Sequence, residues 1–357
     1  MSLESAQTII SQDIEEIIAA VGEDNFKHLA WKTLLITGPQ GLLGGYIVDT
    51  IARLNETILP KSPFSVIGLS RSPIRKESRL GHLLNKPNMW LIKHNAIFPP
   101  DIECLPHYIV HAAGRSAPAD FTDDPIGTID INVTALRWLL DLAVKAKIKS
   151  FIWMSSAEIY GNPPPGWVPT PETYKGNSDP LGPRSCYTES KRCGEAMCLA
   201  FHYKYNVPIK ILRPALVYGP GFPIDDKKVL SDLINSGIKG QPIQLKDEGS
   251  AQRVYLYIKD AMIIFWKVLL SDKNGEVFNL GGLLSEETTI RNIAILVHKI
   301  CGIKEWPKLG SSPSLAGSPN RVCLDMIKTI DTFGYTPTTP LTEGLKKTIN
   351  WAKERLI

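Results

Sequence analysis

The segment that most constrains this chain's fold is TLLITGPQGLLGGYIVDTIARL, residues 33–54. A short apolar run rich in β-formers, residues 33–37, leads through Gly38, Gly41 and Gly44 into an amphipathic stretch that reads as a helix. Glycine accepts positive φ and carries no Cβ, so such a turn can be tight and its backbone open to close approach. The helix that follows presents free N–H groups and a partial positive charge at its start. A strand, a glycine turn and a helix in this order suit a dinucleotide pyrophosphate. Gly38, Gly41, Leu42, Leu43 and Gly44 are therefore candidate cofactor-binding residues.

Further apolar runs lie at 65–69, 90–94, 108–113, 150–156 and 209–219, with helical patterns between several of them, notably 126–146 and 187–204. Strands alternating with helices predict a doubly wound α/β parallel sheet of Rossmann type over residues 31–220. Beyond residue 220 Pro and Gly become frequent. A strand-like run at 277–282 and helices near 289–301 and 341–355 predict a smaller, partly interleaved C-terminal substrate lobe over 221–357, with 255–285 returning to the first domain. Residues 1–30 read as an N-terminal extension. Within it, residues 4–21 place Ile10, Ile14, Ile17, Ile18 and Val21 on one helical face, ending at Gly22. That face is expected to pack on the main domain or on a second subunit. The proline-rich stretch 161–174 predicts a loop near the site.

Composition excludes several classes of function. With 43% hydrophobic and 21% charged residues in 357, the chain can bury a core and is not disordered. A net charge of +4, without a Lys/Arg block, does not suit nucleic acid. The six cysteines form no Cys-x-x-Cys pair and no zinc-type spacing, so reduced thiols and no metal are expected. No signal peptide and no apolar run long enough to span a bilayer is read, which makes a cytoplasmic setting without membrane the expectation.

Two local readings concern chemistry. After the second strand, where an acidic residue would bind the ribose hydroxyls of NAD, the chain has Ser70 and Arg71. A guanidinium pairs with phosphate, so the cofactor reading is NAD or NADP with a lean to NADP. Alternatively, Arg71 stacks near an adenine or faces solvent. In GPRSCYTESKRCGE, residues 182–195, Tyr187 precedes Lys191 by one helical step of four, which puts both side chains on one face.

Five features stand in one order: the Gly38-x-x-Gly41-x-x-Gly44 turn, HAAG at 111–114, SSAEIYG at 155–161, Tyr187-x-x-x-Lys191, and RPALVYGPG at 213–221. Together they resemble the extended short-chain dehydrogenase/reductase family, in its nucleotide-sugar epimerase/dehydratase/decarboxylase branch, over about residues 30–355. Locally, residues 171–192 look like the corresponding stretch of UDP-glucuronate decarboxylases. Residues 123–143, with Asn132, and the C-terminal 331–351 are similar to the same branch.

The resemblance implies oxidation of a sugar hydroxyl, usually at C4, by hydride transfer to a bound nicotinamide. Tyr187 would be the base; a free phenol titrates near ~10, and the Lys191 ammonium with the positive nicotinamide would lower that value. Ser156 would hold the sugar oxygen, and Glu158 would complete the catalytic set. Asn95, Ala112, Ala113, Gly114, Asn132, Ser155 and Pro214 join the cofactor set together with Ser70, Arg71, Tyr187 and Lys191. Ser116, Ser156, Glu158, Arg184 and Arg253 form the substrate set, for a nucleotide-diphosphate sugar. A homodimer through a four-helix contact is implied as well.

Two positions depart from the family. Dehydratases read Thr-Asp-Glu where this chain reads Ser156-Ala157-Glu158, and Ala157 cannot donate a proton. Decarboxylases usually keep the Glu with Ser at the middle position; some 4-epimerases have Ala there without the Glu. Leu216 stands where many sugar-nucleotide enzymes carry an Asn that holds the diphosphate. The expected reaction is therefore C4 oxidation followed by decarboxylation or epimerisation and re-reduction. An NADPH-dependent ketoreductase is one alternative and a non-catalytic dinucleotide sensor another; intact Ser156, Tyr187 and Lys191 speak against the sensor.

Overall fold

The structure, a computed structural model, describes residues 3–115, 117–223, 227–311 and 319–356. Ser116, expected to touch substrate, lies outside the described residues.

In chain order the strands are β1 (Thr33–Thr37), β2 (Ser65–Ser70), β3 (Met89–Lys93), β4 (Tyr108–His111), β5 (Ser150–Met154) and β6 (Ile209–Pro214). There follow β7 (Val217–Tyr218), β8 (Gln252–Arg253), β9 (Leu256–Tyr257), β10 (Glu276–Leu280), β11 (Thr288–Thr289) and β12 (Arg321–Val322). The first half supplies helices α1 (Leu3–Val21), α2 (Glu23–Lys27), α3 (Leu42–Thr57), α4 (Pro118–Asp123), α5 (Pro125–Asn132), α6 (Thr134–Ala146) and α7 (Ser185–Tyr205). The second supplies α8 (Val229–Ile238), α9 (Ile258–Leu270), α10 (Ile290–Cys301), α11 (Ile327–Phe333) and α12 (Leu341–Leu356).

The central sheet has seven strands in the order β10-β6-β5-β4-β1-β2-β3, with parallel pairing throughout. In register, Leu35 of β1 faces Ile67 on one side and Ile109 on the other. Strand β1 alternates between two cores: Leu34 and Ile36 join one, Leu35 the other. This period of two is what a sheet covered on both faces requires. The strand order reverses between β1 and β4, so a crevice opens there at the carboxyl ends. Two small sheets, β11-β8-β12 and β7-β9, lie outside the main one.

Two local features differ from the sequence expectation. The helix expected over 126–146 is broken into α5 and α6 at Val133, and the Asp124 side chain accepts the Gly127 N–H at 2.9 Å to start α5. The strand expected over 209–219 stops at Pro214 and resumes as β7, because Leu216 between them has φ 47. Between β2 and β3 only a 3-10 turn, Gly81–Leu83, forms; Pro and Gly in that stretch interrupt any longer helix.

Helix α1 is part of the main core. Ile10, Ile14, Ile17, Ile18 and Val21 are all buried, at 1%, 3%, 0%, 5% and 4% exposure. Burying each such side chain contributes roughly 1.5–3 kcal/mol relative to leaving it in water. Asp13 on the same helix is fully buried. Its Oδ2 accepts the hydroxyls of Tyr46 at 2.9 Å and Tyr257 at 2.7 Å, and Lys347 Nζ lies 3.2 Å from Oδ1. One carboxylate thus ties α1 to α3, to the end of β9 and to α12. Burial raises its pKa, against the Tyr257, Lys347 and Tyr46 contacts that lower it.

Candidate active site

The glycine turn sits at the carboxyl end of β1. Gly38 has φ 75, and a Cβ there would stand 2.7 Å from Ala113 Cα. A Cβ on Gly44 would stand 2.2 Å from the Gly38 carbonyl oxygen. These two glycines are set by close backbone packing. Gly41 differs: its nearest neighbour for a Cβ is the Gly38 oxygen at 3.5 Å, and it is the N-cap of α3 without a side-chain capping bond. The α3 N-terminus therefore offers N–H groups of its first turn, Leu42 and Leu43 among them, into an open position. That donor set fits a pyrophosphate.

The HAAG loop closes the other side of the crevice. His111 is fully buried; its Nε2–H donates to the Ile131 carbonyl at 2.8 Å, so Nδ1 accepts the Thr37 hydroxyl at 2.6 Å. Thr37 Oγ1 in turn accepts the Ala113 N–H at 3.2 Å. Burial, with the Lys191 charge nearby, pushes the imidazole down to about 3, so it stays neutral. A Cβ on Gly114 would come no closer than 3.8 Å to Lys191 Nζ, so the loop backbone borders the lysine.

Helix α7 carries Tyr187, Lys191 and Glu195 in steps of four along its buried face. Gly194 lets this face approach β5, since a Cβ there would stand 2.6 Å from the Trp153 indole. Lys191 Nζ consequently lies 4.2 Å from the Trp153 ring centroid and donates to the Met154 carbonyl at 2.7 Å. It is 5.9 Å from the Tyr187 ring centroid. Burial pushes the Lys191 ammonium down to about 7, against an upward pull from Glu195. Tyr187 is 5% exposed, and burial pushes its phenol up to about 12. The side-chain hydrogen bond with Ser156 and the Arg184 charge act downward, and the Glu158 charge upward. In this state the phenol is thus shifted against the direction expected from Lys191, because its burial outweighs its charged neighbours.

The end of β5 supplies the remaining members. Ser156 Oγ accepts the Glu158 N–H at 3.1 Å, which starts a 3-10 turn over Ala157–Tyr160 and aims Glu158 back toward α7. Glu158 Oε2 accepts from Arg184 Nη2 at 2.5 Å. Ser155 Oγ donates instead to the buried Glu195 at 2.6 Å. Glu195 also takes two bonds from Arg213, at 2.8 and 2.6 Å, which binds β6 to α7. Arg253, on β8, donates to the carbonyls of Gln252, Asn320 and Pro319 at 2.7, 3.2 and 2.9 Å. Burial lowers the Arg253 pKa, the Tyr255 and Glu158 charges act upward and the Arg184 charge downward.

Other candidates stand further from this centre or in supporting roles. Ser70 is buried, with its hydroxyl bonded to the Gln40 amide and to the Ser72 carbonyl. Arg71 is exposed at the tip of β2, and Asn95 is exposed with Oδ1 accepting the Ile97 N–H at 3.3 Å. Asn132 is buried and donates to Ser190 Oγ at 2.9 Å, while its Oδ1 has no hydrogen-bond partner among the described residues. Pro214 ends β6. Sequence reasoning missed the Thr37–His111 brace, the Glu195–Arg213 pair and Phe121, which stacks on Tyr187. Glu195 had a legible signal, as the next step of four after Lys191. Among the described residues no group of three or more His, Cys, Asp or Glu side chains could hold a metal, and no helix is long and apolar enough to cross a membrane.

Known proteins resemble this chain over most of its length. The chain is 30% identical over 91% of its length to UDP-glucuronic acid decarboxylase 1 of Arabidopsis thaliana, covering 70% of that protein. It is 29% identical over 87% of its length to UDP-glucuronic acid decarboxylase 6 of the same plant, covering 86% of it. Among solved structures it is similar to a UDP-glucuronic acid 4-epimerase from Bacillus cereus in complex with UDP-glucuronic acid and NAD. The TM-score there is 0.75 at 24% identity, over 91% of this chain and 100% of that one. A UDP-glucose 4-epimerase from Thermotoga maritima with UDP-glucose gives a TM-score of 0.77 at 24% identity, over 91% and 100% of the two chains. The family model described as "NAD dependent epimerase/dehydratase family" matches residues 34–281, and the chain belongs to that family.

Proposed function

We propose that this chain binds a nucleotide-diphosphate sugar and oxidises its C4 hydroxyl, with decarboxylation or epimerisation and re-reduction to follow. The observation that carries this reading is the meeting of Ser156, Tyr187 and Lys191 beside a glycine turn suited to a pyrophosphate. When bound, the nicotinamide supplies the hydride acceptor and a positive charge. Ser156 would hold the sugar oxygen, Tyr187 Oη would take the hydroxyl proton, and Lys191 would hold the ribose and favour the phenolate. Arg184 pairs with Glu158, and the Arg253 guanidinium adds a second positive charge that acts with them, an excess of positive charge that suits an acidic sugar. The relatives named for UDP-glucuronic acid support that substrate class.

For the cofactor, Arg71 supports NADP from this chain's own residues, whereas similar solved structures hold NAD. Calorimetric titration of the protein and of Arg71→Ala with each dinucleotide decides between them: a loss confined to NADP supports the NADP reading.

Incubation with UDP-glucuronic acid, without added dinucleotide, tests the whole proposal. NMR should show a decarboxylated or C4-inverted product, and Tyr187→Phe should show none. Equal turnover in that variant ends this mechanism. A second reading, net reduction of a keto-sugar or other ketone by NADPH, is favoured by Arg71 and by Leu216, whose side chain cannot hold a diphosphate. Stoichiometric loss of NADPH absorbance on a keto-sugar, with no turnover of UDP-glucuronic acid, would support it.

A further inference from the structure

We propose that Phe121 is a positioning residue for Tyr187, holding the phenol's plane and keeping water from its face. The inference rests on the reading of Tyr187 as the proton acceptor. The two rings stack, with centroids 4.9 Å apart and planes within 10°. At that separation the parallel rings are offset, an arrangement their quadrupoles favour. Phe121 is 1% exposed, yet neither ring belongs to the two hydrophobic cores that cover the sheet. Phe121 is also the buried residue of the short helix α4. The ring is therefore not a core side chain that happens to lie near the tyrosine. Its surroundings are the site itself: the Arg184 guanidinium lies 5.3 Å from its centroid, and the Cys186 thiol approaches its carbonyl at 3.4 Å.

An aromatic lid fixes a phenol differently from a hydrogen bond. It leaves Oη to Ser156 while limiting rotation of the ring about its own axis. It also keeps one face dry, which strengthens every charge that acts on the phenolate. The charged groups that surround Tyr187 are Glu158 after β5, Arg184 at the start of α7 and Lys191 one step along it. Helix α4 adds Asp120 and Asp123, each 3.4 Å from Lys227 Nζ of the second lobe, and Asp124 pairs with Arg115.

The test uses the full chain with Tyr labelled at its ring carbons, and Tyr187→Phe to assign the resonance. In Phe121→Ala, water reaches the phenol, so Tyr187 should titrate at lower pH than in the parent protein. With UDP-glucuronic acid as the probe substrate, kcat should fall by roughly 100-fold, the cost of a slightly misplaced reacting group, with KM little changed. Phe121→Tyr keeps the ring and should restore both readouts. Unchanged titration, or kcat within about twofold of the parent, overturns the proposal. Should the Ala variant lose its dispersed spectrum, Phe121→Leu carries the same two readouts. If the parent protein does not turn over UDP-glucuronic acid, the functional reading fails. The titration then decides by itself whether Phe121 controls the phenol.

Discussion

Lys191 rides on the indole face of Trp153, its Nζ 4.2 Å from the ring centroid, and gives a hydrogen bond to the next residue's carbonyl. The ammonium is thus held by an aromatic face and a peptide dipole where water would otherwise hold it. Its pKa falls from 10.5 to about 7. Below pH 7 both folded and unfolded chains carry the proton, and the full penalty of burying the charge is present. Between about 7 and 10.5 the unfolded chain binds the proton and the folded one does not, so on this group's account stability rises with pH. Lys191→Met should therefore be more stable than the parent at pH 6 and lose that advantage as the pH approaches 10.5. Urea unfolding at a series of pH values measures the difference; a gap constant with pH would contradict the assignment. Turnover should be lost at every pH.

Glu195 receives two bonds from Arg213 and one from Ser155, all buried. Removing one member of a buried pair leaves an uncompensated charge, at a cost of about 3–5 kcal/mol. Glu195→Gln should lower the urea midpoint accordingly, and Arg213→Met in the same chain should recover part of the loss. If Glu195→Gln unfolds at the parent's midpoint, the pair does not hold β6 to α7.

Leu216 occupies the left-handed region, φ 47, where a bulky side chain is strained. Asn and Gly enter that region at lower cost, so the strain they relieve, about 1 kcal/mol for Asn, should offset part of the packing that the half-buried Leu216 loses on the main core, and both should be more stable than Leu216→Ala. Thermal unfolding of the three variants reads this order, and an Ala variant as stable as the Asn one would show that side-chain packing, rather than φ, is involved.

Gly41 and Gly44 should respond differently to alanine. At Gly44 the new methyl meets backbone at 2.2 Å and the turn must distort, so both folding stability and dinucleotide binding should suffer. At Gly41, where φ is −70 and the nearest contact is 3.5 Å, stability should hold while the methyl enters the space proposed for phosphate. Calorimetry with NAD and NADP, beside a melting curve, separates the two. An unaffected affinity in Gly41→Ala would move the pyrophosphate elsewhere.

Much of the candidate site was legible because its determinants are local. The glycine turn, its strand and its helix occupy one continuous stretch, and Tyr187 with Lys191 differ by a single helical step. Glu195 shared that periodicity, yet its partners are 18 and 40 residues away, a pairing no spacing rule supplies. Phe121 was hidden for another reason: its burial depends on α4 folding over α7, and α4 is too short to have a readable pattern. The break at Val133 and the left turn at Leu216 were missed because apolar runs on both sides read as continuous elements. There, tertiary contacts override local preference.

Asp13 bonds to Tyr257 across 244 residues and to Lys347 across 334. Helix α1 thus leaves the ribosome long before α9 and α12, the surfaces against which its isoleucines close. Until α9 and α12 are in place its apolar stripe lacks the surfaces that bury it, and the Asp13 carboxylate lacks Tyr257 and Lys347. The seat of α1 is therefore set by residues far along the chain, and without α12 the buried Asp13 carboxylate would lose its Lys347 partner.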